Sequence, residues 1–128
     1  MNQRLENPLA RVRGLGSAKD GTEHWWVQRL TAIALVPLTV WFVASLIAHS
    51  GADHATVAAW LGQPLPALLM ILFCATAFWH LKLGLQVVIE DYVHGEAAKI
   101  TLLVLNSFGC IQLALACILS VLKLLFGA

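Results

Sequence analysis

Three stretches of this chain are apolar over lengths that few water-soluble folds could bury, at about residues 26–47, 66–89 and 100–126. A helix needs roughly 20 predominantly apolar residues to cross the hydrocarbon of a bilayer. Inside that layer every backbone N–H and C=O must find its partner within the segment, which a helix provides. Polar or turn-forming runs bound each stretch: Gly21-Thr22-Glu23-His24, then His49 to His54, then Glu90 to Glu96. Only 12% of the 128 residues are charged and 59% are hydrophobic, against roughly 25% charged in soluble domains. The expected fold is therefore an all-α membrane protein of three transmembrane helices. It forms one domain over residues 1–128, with residues 1–24 as an N-terminal segment. A net charge of +1 gives no basis for a nucleic-acid partner.

Lysine and arginine beside a span are retained on the cytoplasmic side. Arg4, Arg11, Arg13 and Lys19 precede the first span and Arg29 lies near its start, whereas the stretch from His49 to Gln63 has neither residue type. This bias puts the N-terminus in the cytoplasm, the first loop outside, the second loop with Lys99 inside, and the C-terminus on the periplasmic side. Lys123 opposes the bias, but its long side chain can snorkel to the headgroups. The polar N-terminal segment has no short apolar core followed by a small-residue cleavage site, so the first span is expected to be its own insertion signal. Cys74, Cys110 and Cys117 lie within the spans, in no C-x-x-C pattern, and read as buried thiols. Pro66 suits a helix start. Pro37 should kink the first span or require a neighbouring helix to accommodate the carbonyl it frees.

His80 and Lys82 stand deep inside the second span, and an ionisable residue at such a depth is a candidate functional site. A neutral imidazole nitrogen can serve as an axial ligand to a haem between helices. It can equally make an interhelical hydrogen bond, which is the commoner use of a membrane histidine. No other span supplies an imidazole, so a bis-histidine haem needs its second ligand from another chain. His24, His49, His54 and His94 fall at span ends or in loops. At about 100° per residue, Gly84 and Asp91 lie within roughly 40° of His80, and Lys82 points to nearly the opposite side. Gly84 leaves room for a flat ring or for plain helix packing. Lys82 can snorkel, pair with a partner's carboxylate or face a wet crevice. Asp91 and Tyr92 come about 16 Å further along. A tyrosine hydroxyl there can donate to a quinone carbonyl while the carboxylate orients it or relays a proton, and an interfacial tyrosine beside a solvated aspartate is the ordinary alternative.

The run from His80 to Gly95, with a histidine, a glycine four residues on, and Asp91-Tyr92-Val93 after seven more, resembles the second-helix signature of the small membrane-anchor subunits of succinate dehydrogenase, the cytochrome b small subunits of respiratory complex II. Gly14-Leu15-Gly16-Ser17-Ala18-Lys19-Asp20-Gly21 and His24-Trp25-Trp26-Val27-Gln28-Arg29-Leu30-Thr31-Ala32 are similar to the start of the first helix in the family's bacterial, mitochondrion-like members.

This resemblance implies that His80 is an axial ligand to a haem b, with the second histidine from a larger cytochrome b anchor subunit. It implies that Tyr92 hydrogen-bonds a ubiquinone carbonyl, that Asp91 supports that site, and that Arg29 lies near the haem propionates or, equally, serves as a positive-inside anchor. Lys82 departs from the apolar residue expected there. The implied partners are that larger anchor, an iron–sulfur subunit, a flavoprotein subunit and the lipid bilayer of a bacterial cytoplasmic membrane. The chain has no dinucleotide fingerprint or iron–sulfur cysteine set, so it is expected to act as a subunit and not to oxidise succinate alone. The alternatives are a fumarate reductase anchor, a non-redox scaffold or assembly subunit, and a small proton-conducting subunit, the last without the inverted repeat or broken-helix pair of transporters.

Overall fold

A computed structural model describes residues 19–127, with side chains from Gly21 onward. Arg4, Arg11, Arg13 and the Gly14–Ala18 part of the first-helix motif lie outside the described residues. Four helices follow one another: α1 Lys19–Ala48, α2 His54–Leu61, α3 Pro64–Tyr92 and α4 Glu96–Leu125. Among the described residues there is no strand. α1, α3 and α4 have 30, 29 and 30 residues and are long and apolar enough to cross a membrane.

Each long helix exceeds its expected span, because a helix need not stop where the hydrocarbon does. α1 begins at Lys19 and carries Gly21-Thr22-Glu23-His24 as helix. It runs through Pro37 without interruption. α3 starts with Pro64 in its first turn, where a missing N–H costs nothing. α4 opens on Glu96 and has Lys123 in its last turn, charges that suit the two ends of the helix dipole.

The stretch expected to be a plain loop outside the first two spans contains α2. Gly51 turns the chain out of α1 with φ +83°, a left-handed conformation that glycine adopts without a Cβ penalty. Asp53 then caps α2, its Oδ1 accepting from the Thr56 N–H at 2.9 Å. Hydrogen bonds from Thr56, the hydroxyl first and the backbone N–H second, hold the Asp53 carboxyl below its ordinary range.

α3 is the middle helix. It packs on α1 along one side and on α4 along another, while among the described residues the backbones of α1 and α4 do not approach closely. Phe42 stacks on Phe73 across the α1–α3 seam, with ring centroids 4.6 Å apart. α2 lies against α3 and α4, and its Trp60 stacks with Trp41 and packs on His49 at the end of α1. Gly62 permits this closeness: a Cβ there would stand 2.8 Å from the backbone oxygen of Leu124. The buried side chains, Ala67, Cys74, Leu83, Cys110 and Val121, are mostly small and lie on α3 and α4, as close helix packing in a membrane requires. Large apolar side chains such as Ile33, Val36, Val40, Leu105 and Phe108 remain exposed. The three cysteines are free thiols, two buried and Cys117 half-buried.

Candidate functional site at the α1–α3 seam

His80 lies near the middle of α3, about 24 Å along the helix from Pro64 and about 18 Å from Tyr92. Its Nδ1 stands 2.9 Å from Oγ1 of Thr31 on α1. Thr31 is held by its own helix, because Oγ1 is also 2.8 Å from the Val27 carbonyl oxygen and 3.0 Å from that of Gln28. This back-bonding restricts the β-branched side chain and aims its oxygen at α3.

The next turns of the same α1 face carry Gln28 and His24, spaced at i, i+4 and i+7 with Thr31 and therefore on one stripe. Gln28 lies opposite Gly84, where a Cβ would meet the amide nitrogen at 3.8 Å. The room expected beside Gly84 is thus taken by α1. Gln28 Oε1 and His24 Nε2 are buried without a hydrogen-bond partner among the described residues. Buried polar atoms are nearly always paired, so two orphans on one stripe mark a place where this chain is polar without being self-sufficient.

Lys82 points the other way, as its rotation from His80 predicts. Its ammonium lies 4.7 Å from the centroid of the Trp79 ring, a cation–π contact, beside an apolar cavity of about 180 Å³ between α3 and α4 that Cys110 and Ile111 also line. The Lys82 carbonyl accepts from Asn106 Nδ2 at 2.9 Å, tying α4 to α3 at this level. Asp91 and Tyr92 end α3, and both are exposed, Tyr92 by 77%. One turn back, Gln86 donates to Glu90 at 3.1 Å. Arg29 is exposed, with its guanidinium 5.4 Å from the Trp25 ring centroid. Being two residues from Thr31, it stands about 200° around α1 from the seam. The structure therefore brings Thr31 and His80 together and keeps Arg29, Asp91 and Tyr92 apart from them. Among the described residues no group of three or more His, Cys, Asp or Glu could hold a metal ion.

Residues 3–122 match the family described as the succinate dehydrogenase/fumarate reductase transmembrane subunit. The chain belongs to this family. It is 33% identical to the succinate dehydrogenase hydrophobic membrane anchor subunit of Paracoccus denitrificans over 113 residues, which cover 88% of each chain. It is also 33% identical to the subunit of the same name from Rickettsia bellii, over 75% of this chain and 77% of that one. The succinate dehydrogenase membrane anchor subunit of Reclinomonas americana is 34% identical over 64% of this chain and 71% of its own. No solved structure matches. As a member of the succinate dehydrogenase/fumarate reductase transmembrane subunit family with three such helices, the chain is a multi-pass membrane protein.

Sequence reasoning found His80 and passed over Thr31, which meets it, and the stripe that Thr31 shares with Gln28 and His24. Thr31, Gln28 and His24 are individually unremarkable, and His24 reads as a residue at a span end. Their shared spacing was the available signal, since three polar side chains on one stripe of an otherwise apolar helix have to meet something.

Proposed function

We propose that this chain is the small membrane anchor of a bacterial succinate:ubiquinone oxidoreductase, contributing His80 to a haem b shared with a larger anchor subunit and Tyr92 and Asp91 to the ubiquinone site. Its family supports the anchoring role, and the names of its relatives favour succinate oxidation over the fumarate reductase alternative. The observation that carries the haem reading is His80 itself: an imidazole near mid-span, hydrogen-bonded through Nδ1 only, with Nε2 unpartnered among the described residues.

The residues present fit such a group. One imidazole nitrogen is tethered and the other is available, the arrangement a haem-ligating histidine needs. The orphaned Gln28 Oε1 and His24 Nε2 extend the same polar stripe toward the Tyr92 end of α3. Haem supplies one-electron chemistry when bound, and the protein's part is to hold and tune it. His80 would hold the iron from this side, and a histidine of the larger anchor would complete the pair. Arg29 would offer its guanidinium to a propionate or to a lipid phosphate, steadied by Trp25.

At the end of α3, the Tyr92 hydroxyl would donate to a quinone carbonyl oxygen and raise its affinity for electrons. Asp91, beside it in sequence, would orient that site and take part in delivering the two protons that quinone reduction consumes. This end of α3 is cytoplasmic by the charge bias, with the N-terminus on the same side and the C-terminus periplasmic. There an iron–sulfur subunit, fed by a flavoprotein that oxidises succinate, would dock. The test is a pair of variants in the purified complex. His80→Ala should lose the b-type absorbance, and Tyr92→Phe should keep it while slowing quinone reduction. Full haem content in His80→Ala would remove the ligand role.

A further inference from the structure

Thr31 Oγ1 has a single proton and three neighbours within hydrogen-bond distance: the Val27 oxygen at 2.8 Å, the Gln28 oxygen at 3.0 Å and His80 Nδ1 at 2.9 Å. The two carbonyl oxygens can only accept. If the proton pointed at His80, both carbonyls would face the lone pairs of the hydroxyl oxygen with nothing between. The proton therefore goes to the carbonyls of its own helix, as threonine hydroxyls within helices commonly do. A lone pair of Oγ1 is then left facing His80, and Nδ1 must be the donor.

We propose that Thr31 is the positioning residue for His80, fixing the ring in its Nδ1–H tautomer and in one orientation so that Nε2 presents a bare lone pair away from α1. A neutral imidazole has one N–H, and assigning it to Nδ1 leaves Nε2 as the coordinating atom. The bond also makes the ring a stronger donor, because an imidazole that gives up part of its Nδ1 proton gains basicity at Nε2. A more basic ligand favours ferric over ferrous iron, so Thr31 holds the midpoint potential down. Val27 and Gln28 contribute through their carbonyls alone, which makes the device dependent on the helical backbone of α1. The inference rests on the reading of His80 as a haem ligand.

The test uses the assembled complex with Thr31→Val, which keeps the side-chain shape and removes the acceptor, and Thr31→Ser, which keeps the hydroxyl. Two properties are read on each: the haem midpoint potential and the low-spin ferric EPR spectrum, whose principal g-values follow the orientation of the imidazole planes. Thr31→Val is expected to raise the potential by up to about 59 mV, a tenfold change in the one-electron equilibrium, and to shift or broaden the g-values. Thr31→Ser should restore both toward the parent. Thr31→Ala provides a second acceptor-free variant where valine disturbs assembly, with the same rise expected. Parent-like potential and EPR in the acceptor-free variants, with His80→Ala still losing the haem, would overturn the role of Thr31 and leave the haem reading standing. A parent complex without any b-type haem would overturn both.

Discussion

His80 and Lys82 are two residues apart on α3 and serve different neighbours, which shows how much the rotation of a helix decides. His80 meets Thr31 of α1, and Lys82 lies over Trp79 beside the α4 side of the seam. Lys82→Leu is therefore expected to leave haem content unchanged while removing a contact of about 0.5–2 kcal/mol. Equal loss of haem in Lys82→Leu and His80→Ala would contradict that division of faces. At the C-terminal end of α3, Tyr92→Phe would remove the one neutral hydrogen bond that Tyr92 is proposed to give the quinone. About 1 kcal/mol of it, if expressed fully at the transition state, slows quinone reduction roughly fivefold at limiting quinone. An unchanged rate there would take Tyr92 out of the site. The opposed faces of His80 and Lys82 were legible from sequence because they depend only on the helical repeat. The Thr31–His80 bond was not, since it depends on which faces of two helices meet: the His24, Gln28 and Thr31 spacing marks a polar stripe on α1 without saying which residue of another helix it meets.

At the scale of elements, the long helices were legible and the short one was not. Hydrophobic length reports where lipid begins, so the expected spans fell short of the N-terminus of α1 and of the C-terminus of α3 by several residues. α2 was hidden because Gly51, Asp53 and His54 read as a turn, and its helical segment is only eight residues long. Asp53 was the signal, an N-cap ahead of a run of good helix formers. Its carboxyl is held low by Thr56, so the charged cap stabilises α2 above the ordinary carboxylate range and that contribution is lost as pH falls through the depressed value. Amide exchange in α2, corrected for the intrinsic pH dependence, should rise on acidification in the parent and stay level in Asp53→Asn; identical profiles would refute the cap's role. Gly62→Ala tests how α2 is seated. Its Cβ would press on the Leu124 backbone oxygen, so a loss of about 1–3 kcal/mol in the stability of the complex is expected. A neutral effect would mean that α2 moves freely against the end of α4.

The molecule as a whole is a row of three long helices with α3 in the middle, and a row has two broad faces. Few side chains are buried, and the apolar residues left exposed on α1 and α4 serve equally against lipid tails or against further helices. This openness suits the proposed role, in which His80 is one half of a ligand pair completed by another subunit. The proposed orientation predicts that a tag on the N-terminus is reached by a membrane-impermeant protease only from the cytoplasmic side, and a C-terminal tag only from the periplasmic side. Both tags exposed on one side would contradict three crossings. The central claim is tested most directly by an optical difference spectrum of the complex recovered through a tag on this chain, recorded oxidised, then with succinate, then with dithionite. The account predicts a b-type band in the parent, reduced at least by dithionite, that disappears in His80→Ala. A complete complex with no b-type band, or one whose band survives His80→Ala unchanged, would contradict it.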